Sequence, residues 1–346
     1  MKLSDRGKVV IGVVAAAAIA GVGILAFTGN ARGPIQDIVD AVTGQPKPCP
    51  LTGELRAGGK DGPDRPALAI KVENTDEAYP LAGLDRADVI YEELVEGGIT
   101  RFVALFQCHD ATRVGPVRSA RTTDPKILVQ YSDQPLLAYS GAQLRVTKAV
   151  DKANIVSFTE TSANDAYTRD DQRVMPHNLF VNENALYRFA RKQEVDFSTP
   201  NEVFTFSEVV PTPAKRTRTV TASFSSAHTA QWRWSRGHWT RLLDGAPMEL
   251  EDGKPVTADN IVIQEVEVST STILDPAGYP SPTVDLTGRG RAWILRDGKR
   301  IAGHWTRSSL GDVTVFETKD GDRIDLAPGT TFVELVPKGT GEVSFG

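Results

Sequence analysis

Apolar positions fall along this chain in three textures. The first is residues 9–27, a run rich in Val, Ala, Ile and Leu with no charge in it. As a helix rising about 1.5 Å per residue it would span about 28 Å, close to a hydrocarbon core of about 30 Å. The second texture mixes periods. Residues 67–72 read as a buried strand, and 88–96 with 99–107 flank Gly97-Gly98 as a hairpin. Val146, Ala149, Val150 and Ala153 share one helical face, and 184–192 predicts another helix. Asp124-Pro125 ahead of Ile127-Leu128 marks a helix start, with Asp124 as cap and proline at the first helical position.

The third texture begins near residue 219. Asp-Gly pairs at 244–245, 252–253, 297–298 and 320–321 divide short apolar runs such as 261–268 and 292–295. Short strands joined by tight turns predict an all-β sandwich or barrel. The expected layout is therefore a single N-terminal transmembrane helix within 1–28 and a Gly- and Pro-rich tether at 29–65. An α+β or α/β layered domain at 66–206, a linker at 207–218 and a smaller all-β domain at 219–346 follow. Gly-His-Trp-Thr-Arg occurs at 237–241 and again at 303–307, by duplication of a hairpin unit or by the shared demands of a turn before an aromatic strand.

Charge gives the apolar segment a direction. Lys2, Arg6 and Lys8 precede it against Asp5 alone, while Arg32 beyond it is soon followed by Asp37 and Asp40. That asymmetry keeps the N-terminus in the cytoplasm and exports the rest. The localisation expected is a single-pass protein of the cytoplasmic membrane, with the bulk of the chain extracytoplasmic. A cleaved signal peptide ending near Gly29-Asn30-Ala31 also exports the chain, although its apolar stretch is longer than such peptides use. Export makes a Cys49–Cys108 bridge the expected state of the two cysteines, with a buried free thiol at Cys108 the alternative. Pro46-Lys47-Pro48 is no lipobox, so no lipid is expected on Cys49.

The net charge of −5 argues against nucleic acid as a partner. Five scattered His and two Cys give no zinc spacing. No phosphate-cradling loop, dinucleotide fingerprint or nucleophile elbow is present, so no metal or cofactor is expected.

Candidate chemistry concentrates in the first domain. A two-residue turn at Gly97-Gly98 would put Glu92, Glu96 and Arg101 on one sheet face, a solvated charged surface or part of a site. Arg118, Ser119 and Arg121 stand directly before the expected helix start, where guanidinium groups and free N–H groups suit an anion. A structural arginine pair bridging to carboxylates is the alternative. His177 and Asn178 follow a proline turn and offer an acid–base or ligand contact, or ordinary loop hydrogen bonding. Lys71, Glu73 and Asn74 close the first strand. The expected ligand-binding set is Glu96, Arg101, Arg118, Ser119, Arg121, His177 and Asn178. Its expected partner is an anionic envelope polymer or a protein.

Several stretches resemble the YerB-like family of bacterial lipoproteins. They are 66–74, 83–106 with Glu-Gly-Gly-Ile-Thr-Arg-Phe at 96–102, Gly-Pro-Val-Arg-Ser-Ala-Arg at 115–121, and Pro-His-Asn-Leu at 176–179. Gly-x-Trp at 303–305 and residues 324–337 resemble that family's C-terminal part. The resemblance covers about 66–340 and implies two domains and an envelope location, with no activity attached. This chain departs from the lipoprotein pattern in lacking a lipobox. A slighter likeness, over residues 88–93, 117–121 and 140–150, is to the LytR-CpsA-Psr glycopolymer transferases. It would imply a phosphotransferase-like enzyme acting on cell-wall glycopolymers, and Glu96 with Glu73 or Asp124 offers a carboxylate pair for a hydrolytic one instead.

Overall fold

Strands β1 (Leu68–Asn74), β2 (Val89–Leu94) and β3 (Thr100–Phe106) form at the three apolar runs of the first half. They belong to a computed structural model that describes residues 46–56, 64–195, 197–275 and 278–346. The apolar segment 9–27 lies outside the described residues, and among those described no helix is long and apolar enough to cross a membrane.

β2 and β3 pair antiparallel, but not in the register a two-residue turn would impose. Glu93, not Leu94, faces Arg101, and Glu92 faces Phe102. The connection runs through Val95–Ile99 with both glycines at positive φ, so it holds more than two residues. Because strand side chains alternate, a one-residue slip sends Glu92 to the opposite face from Arg101. The expected Glu92–Glu96–Arg101 face does not exist.

Three helices accompany these strands: α1 (Thr123–Leu128), α2 (Leu144–Lys152) and α3 (Glu183–Lys192). α2 buries Val146 and Val150, as its spacing predicts. α3 starts after Asn182, whose side chain accepts from the Ala185 N–H at 2.9 Å. α1 begins one residue before Asp124, which lies inside the first turn instead of capping it.

The sheet also takes in β4 (Leu136–Ala138), β5 (Val156–Phe158), β6 (Asn260–Val266), β7 (Gly288–Arg296), β8 (Lys299–Arg307) and β9 (Thr331–Pro337). Its order is β8-β7-β6-β9-β2-β3-β1-β4-β5, with Lys215–Arg216 on the outer edge of β8. β9 pairs parallel with both β6 and β2. Strands from the two halves of the sequence are therefore neighbours in one sheet, and Lys215–Arg216, within the expected 207–218 linker, is an edge strand. Residues 46–346 form one compact unit.

Folded structure also begins earlier than Pro66. Lys47–Pro48 pairs with Leu55–Arg56, Leu51 is fully buried, and Cys49 is bridged to Cys108 across 59 residues with Cα atoms 6.0 Å apart. The end of the expected tether is thus stapled to the sheet.

Among the described residues the second half is β throughout. A six-stranded sheet gathers Thr219–Ser223, Thr229–Ser235, His238–Leu243 and Glu342–Phe345. Asp244-Gly245 and Asp297-Gly298 are turns with positive φ at both positions, the conformation that Asp-Gly favours. The repeated pentapeptide serves two different settings. Gly237 sits in a turn at φ 88°, whereas Gly303 lies within β8, where a Cβ would meet Glu317 O at 2.1 Å.

The core lies on both faces of the large sheet. Ile70, Phe102, Phe332 and Trp232 pack on one side; Val103, Tyr91, Ile294 and Trp305 pack on the other. Charged side chains interrupt each face at one level, and those interruptions define the sites below.

Candidate functional site

β1, β2 and β3 carry Lys71, Glu73, Glu93 and Arg101 on one face, because Arg101 stands opposite Glu73 on one side and Glu93 on the other. The segment bearing Arg118 and Arg121 crosses the end of β1. Arg118 N–H donates to Lys71 O at 2.9 Å, and Ser140 N–H to Arg118 O at 2.9 Å. Gly115 permits this crossing: at φ 149° a Cβ there would lie 2.8 Å from Leu179 O.

Each carboxyl of the cluster has a cation. Lys71 Nζ contacts Glu93 and donates to Asp124 at 2.7 Å, and all three side chains are fully buried. Two acids against one ammonium leave an excess of negative charge. Burial, against the pull of Lys71 and with Asp124 adding to it, pushes Glu93 up to about 7. Glu96 accepts from Arg121 Nε at 2.7 Å and from the Ser281 hydroxyl. Burial works against its ionised form, but Arg121 and the Ser281 hydrogen bond together outweigh it and hold Glu96 below the usual carboxylate range. Arg121 also donates to Ser119 O and Ala120 O, at 3.2 and 2.9 Å. It is engaged within the protein.

Glu73 is shared. His177 Nδ1 lies 3.0 Å from its Oε2 and Arg118 Nε 3.1 Å from its Oε1. The angle at Arg118 leaves the enclosed Nε without a hydrogen bond. The other ring nitrogen of His177 makes no hydrogen bond among the described residues, and in a neutral ring with Nδ1–H directed at Glu73 it would be the acceptor.

Arg101 is the exception. It is 7% exposed, donates one bond to Ser119 O at 2.9 Å, and has no carboxylate at ion-pair distance among the described residues. Burial, with the charges of Arg121 and Arg118 nearby, pushes it down to about 10. It remains a cation at neutral pH, enclosed and largely unpartnered.

The structure thus brings together Glu96, Arg101, Arg118, Ser119, Arg121 and His177. Asn178 has other partners: it accepts from Arg169 at 2.9 Å and donates to Asp170 O at 3.2 Å. The α1 terminus is not the anion seat that sequence suggested. α1 has only six residues, and Asp124 places its own carboxyl there, accepting from Arg121 N–H at 2.7 Å. His177 also lines an open cleft of about 560 Å³ with Glu77, Tyr79, Pro80, Arg173, Val174 and Met175.

On the opposite sheet face lies a second polar cluster that sequence reasoning missed. Glu92 accepts from Thr100 at 2.6 Å and Asn74 at 3.0 Å, and contacts His228 at 2.6 Å and Arg241 at 2.8 Å. Arg241 also meets Glu334 at 3.1 Å, and Trp232 donates to Glu334 at 2.7 Å. Burial pushes Glu334 well up, helped by the Glu92 charge. Burial opposes ionisation of Glu92 too, but Arg241 and His228 prevail and hold it down. The cluster joins strands of both sequence halves in a dry interior, a place for a structural lock. Its signal was available: Glu92-Glu93 and Glu334 are charges inside otherwise apolar strands.

Comparison with known proteins agrees with the resemblance to YerB and lends none to the LytR-CpsA-Psr likeness. A Bacillus subtilis (strain 168) protein named "Putative lipoprotein YerB" is 29% identical over 303 residues, covering 84% of this chain and 86% of that one. The crystal structure of YerB from Bacillus subtilis superposes with a TM-score of 0.71 at 26% identity, over 85% of this chain and 98% of its own. Residues 51–196 match the N-terminal domain of the protein of unknown function DUF3048, and residues 219–333 match its C-terminal domain. The chain belongs to the DUF3048 family and carries both of its domains in order.

Proposed function

We propose that this is an extracytoplasmic envelope protein, anchored by residues 9–27 as a single pass through the cytoplasmic membrane, whose first-half site holds an anionic group of an envelope ligand or partner. The lipoprotein named among its relatives supports the location, as do the Cys49–Cys108 bridge and the charge asymmetry about the apolar segment. The observation that carries the binding reading is Arg101, an enclosed guanidinium with one hydrogen bond and, among the described residues, no carboxylate at ion-pair distance. Arg118, whose Nε is ion-paired with Glu73 at 3.1 Å but makes no hydrogen bond there, adds a second guanidinium, and together they present charged donors suited to phosphate or carboxylate.

Calorimetric titration with inorganic phosphate tests this. Arg118→Lys keeps the charge but loses the planar fork, and should weaken binding about tenfold or more. Equal affinity in both proteins, or no heat in the wild type, removes the reading.

A second reading, an enzyme acting on cell-wall glycopolymers, rests on the His177–Glu73 pair. A histidine held through Nδ1 by a carboxylate, with its other ring nitrogen free of bonds among the described residues beside a cleft, is the arrangement a general base uses. It requires turnover of an envelope glycopolymer that His177→Gln abolishes while phosphate binding persists.

A further inference from the structure

The cleft beside His177 is walled by two tied segments. Arg173 donates to Ala78 O at 2.9 Å and to Pro80 O at 2.7 Å, so the loop carrying Val174 and Met175 is held against the Tyr79-Pro80 segment. These bonds use the Arg173 head group within the wall. The Tyr79 hydroxyl is likewise committed, donating inward to Asn74. Apart from the Glu77 carboxylate, what the walls offer is therefore mostly ring and aliphatic surface. Val174 is 80% exposed and Met175 67%, large apolar side chains left in water on a tethered loop. Such side chains gathered beside a cleft mark a binding surface, and methionine adapts readily to what it covers.

The cleft adjoins the arginine site through one residue. His177 lines the cleft, its Nδ1 holds Glu73, and Glu73 holds Arg118. Resting on the anion reading above, we infer that the ligand is an amphiphile: a phosphate group at Arg101 and Arg118, carried on an apolar body that lies between Tyr79-Pro80 and Val174-Met175. A volume of about 560 Å³ accommodates a small molecule of this kind. A sugar body fits these walls less well, because its hydroxyls would lose water and find few free partners. A cationic head group is disfavoured beside the Arg101 and Arg118 guanidiniums.

Titrations of the compact unit 46–346 with inorganic phosphate, glucose 1-phosphate, octyl phosphate and octanoate test this, the octyl ligands being kept below micelle-forming concentrations. Octyl phosphate should bind about tenfold or more tightly than inorganic phosphate or glucose 1-phosphate, from apolar burial. Met175→Ser and Val174→Ser should each reduce that advantage and leave inorganic phosphate binding unchanged. Octanoate should bind more weakly than octyl phosphate; an equal or tighter affinity assigns the head group to a carboxylate and overturns the phosphate. Glucose 1-phosphate binding as tightly as octyl phosphate, or octyl phosphate indifferent to both serine variants, overturns the apolar body and leaves the anion site standing. No response to any of the four ligands overturns both.

Discussion

Glu73 and Arg101 stand directly opposite each other on β1 and β3, yet the Glu73 carboxyl is taken by Arg118 and His177, and among the described residues no carboxylate comes within ion-pair distance of Arg101. A cross-strand Glu–Arg pair would ordinarily close on itself and stabilise the sheet. Here the neighbouring loops supply competing cations, and the displaced guanidinium is the feature on which the functional reading rests.

Arg121 differs from Arg101 in kind. Its guanidinium neutralises Glu96, which is only 5% exposed, so Arg121→Met should leave a buried carboxylate unpaired. A loss of about 3 kcal/mol of stability is expected, read from the denaturant midpoint. A midpoint within experimental scatter of wild type would show that Glu96 is solvated by other means.

Glu93 gives a pH signature. Its folded pKa, about 7, lies above its ordinary value of 4.5, so the folded state binds the extra proton between those values. Its contribution is fully present below pH 4.5 and is lost as pH rises through 7. Glu93→Gln keeps the shape and the Lys71–Asp124 bond. Relative to wild type it should gain on the order of 1–3 kcal/mol as pH rises from 4.5 to above 7. Parallel pH–stability curves for the two proteins would contradict this.

The shared sheet makes a thermodynamic prediction. With β9 wedged between β6 and β2, and Arg241 bonded across to Glu92, neither half can leave without breaking strand pairing. Calorimetry should show one cooperative transition, and 46–206 expressed alone should not fold. Two resolved transitions would mean that the halves are independent.

Reduction of the Cys49–Cys108 bridge should lower stability by about 2–4 kcal/mol, because it releases a 59-residue constraint on the unfolded chain. An unchanged melting temperature in reductant would count against that role.

Local pattern made much of this legible. The apolar runs gave β1 and the hairpin arms, the helical spacing gave α2, and the Asp-Gly pairs gave the turns of the second half. Arg118, Arg121, Arg101 and His177 were recognisable as residue types near turns. What pattern could not supply was pairing. One residue of loop length at Gly97-Gly98 moved Glu92 to the far face, and Glu93 took its place beside Arg101. Nor could spacing reveal that β9, more than two hundred residues later in the chain, runs alongside β2. Which arginine was spare depended on those long-range neighbours: Arg121 looked as open as Arg101 until Glu96 and Ser281 were in place.

Arg101→Met, measured for both melting temperature and phosphate binding in the unit 46–346, tests the account most directly. A buried cation with no carboxylate at ion-pair distance among the described residues costs stability, so the variant should melt at or above the wild-type temperature, with a stability gain of up to about 2 kcal/mol, while the heat of phosphate binding disappears. A variant that melts well below wild type and still binds phosphate would make Arg101 a structural brace, and the anion site would have to be sought elsewhere.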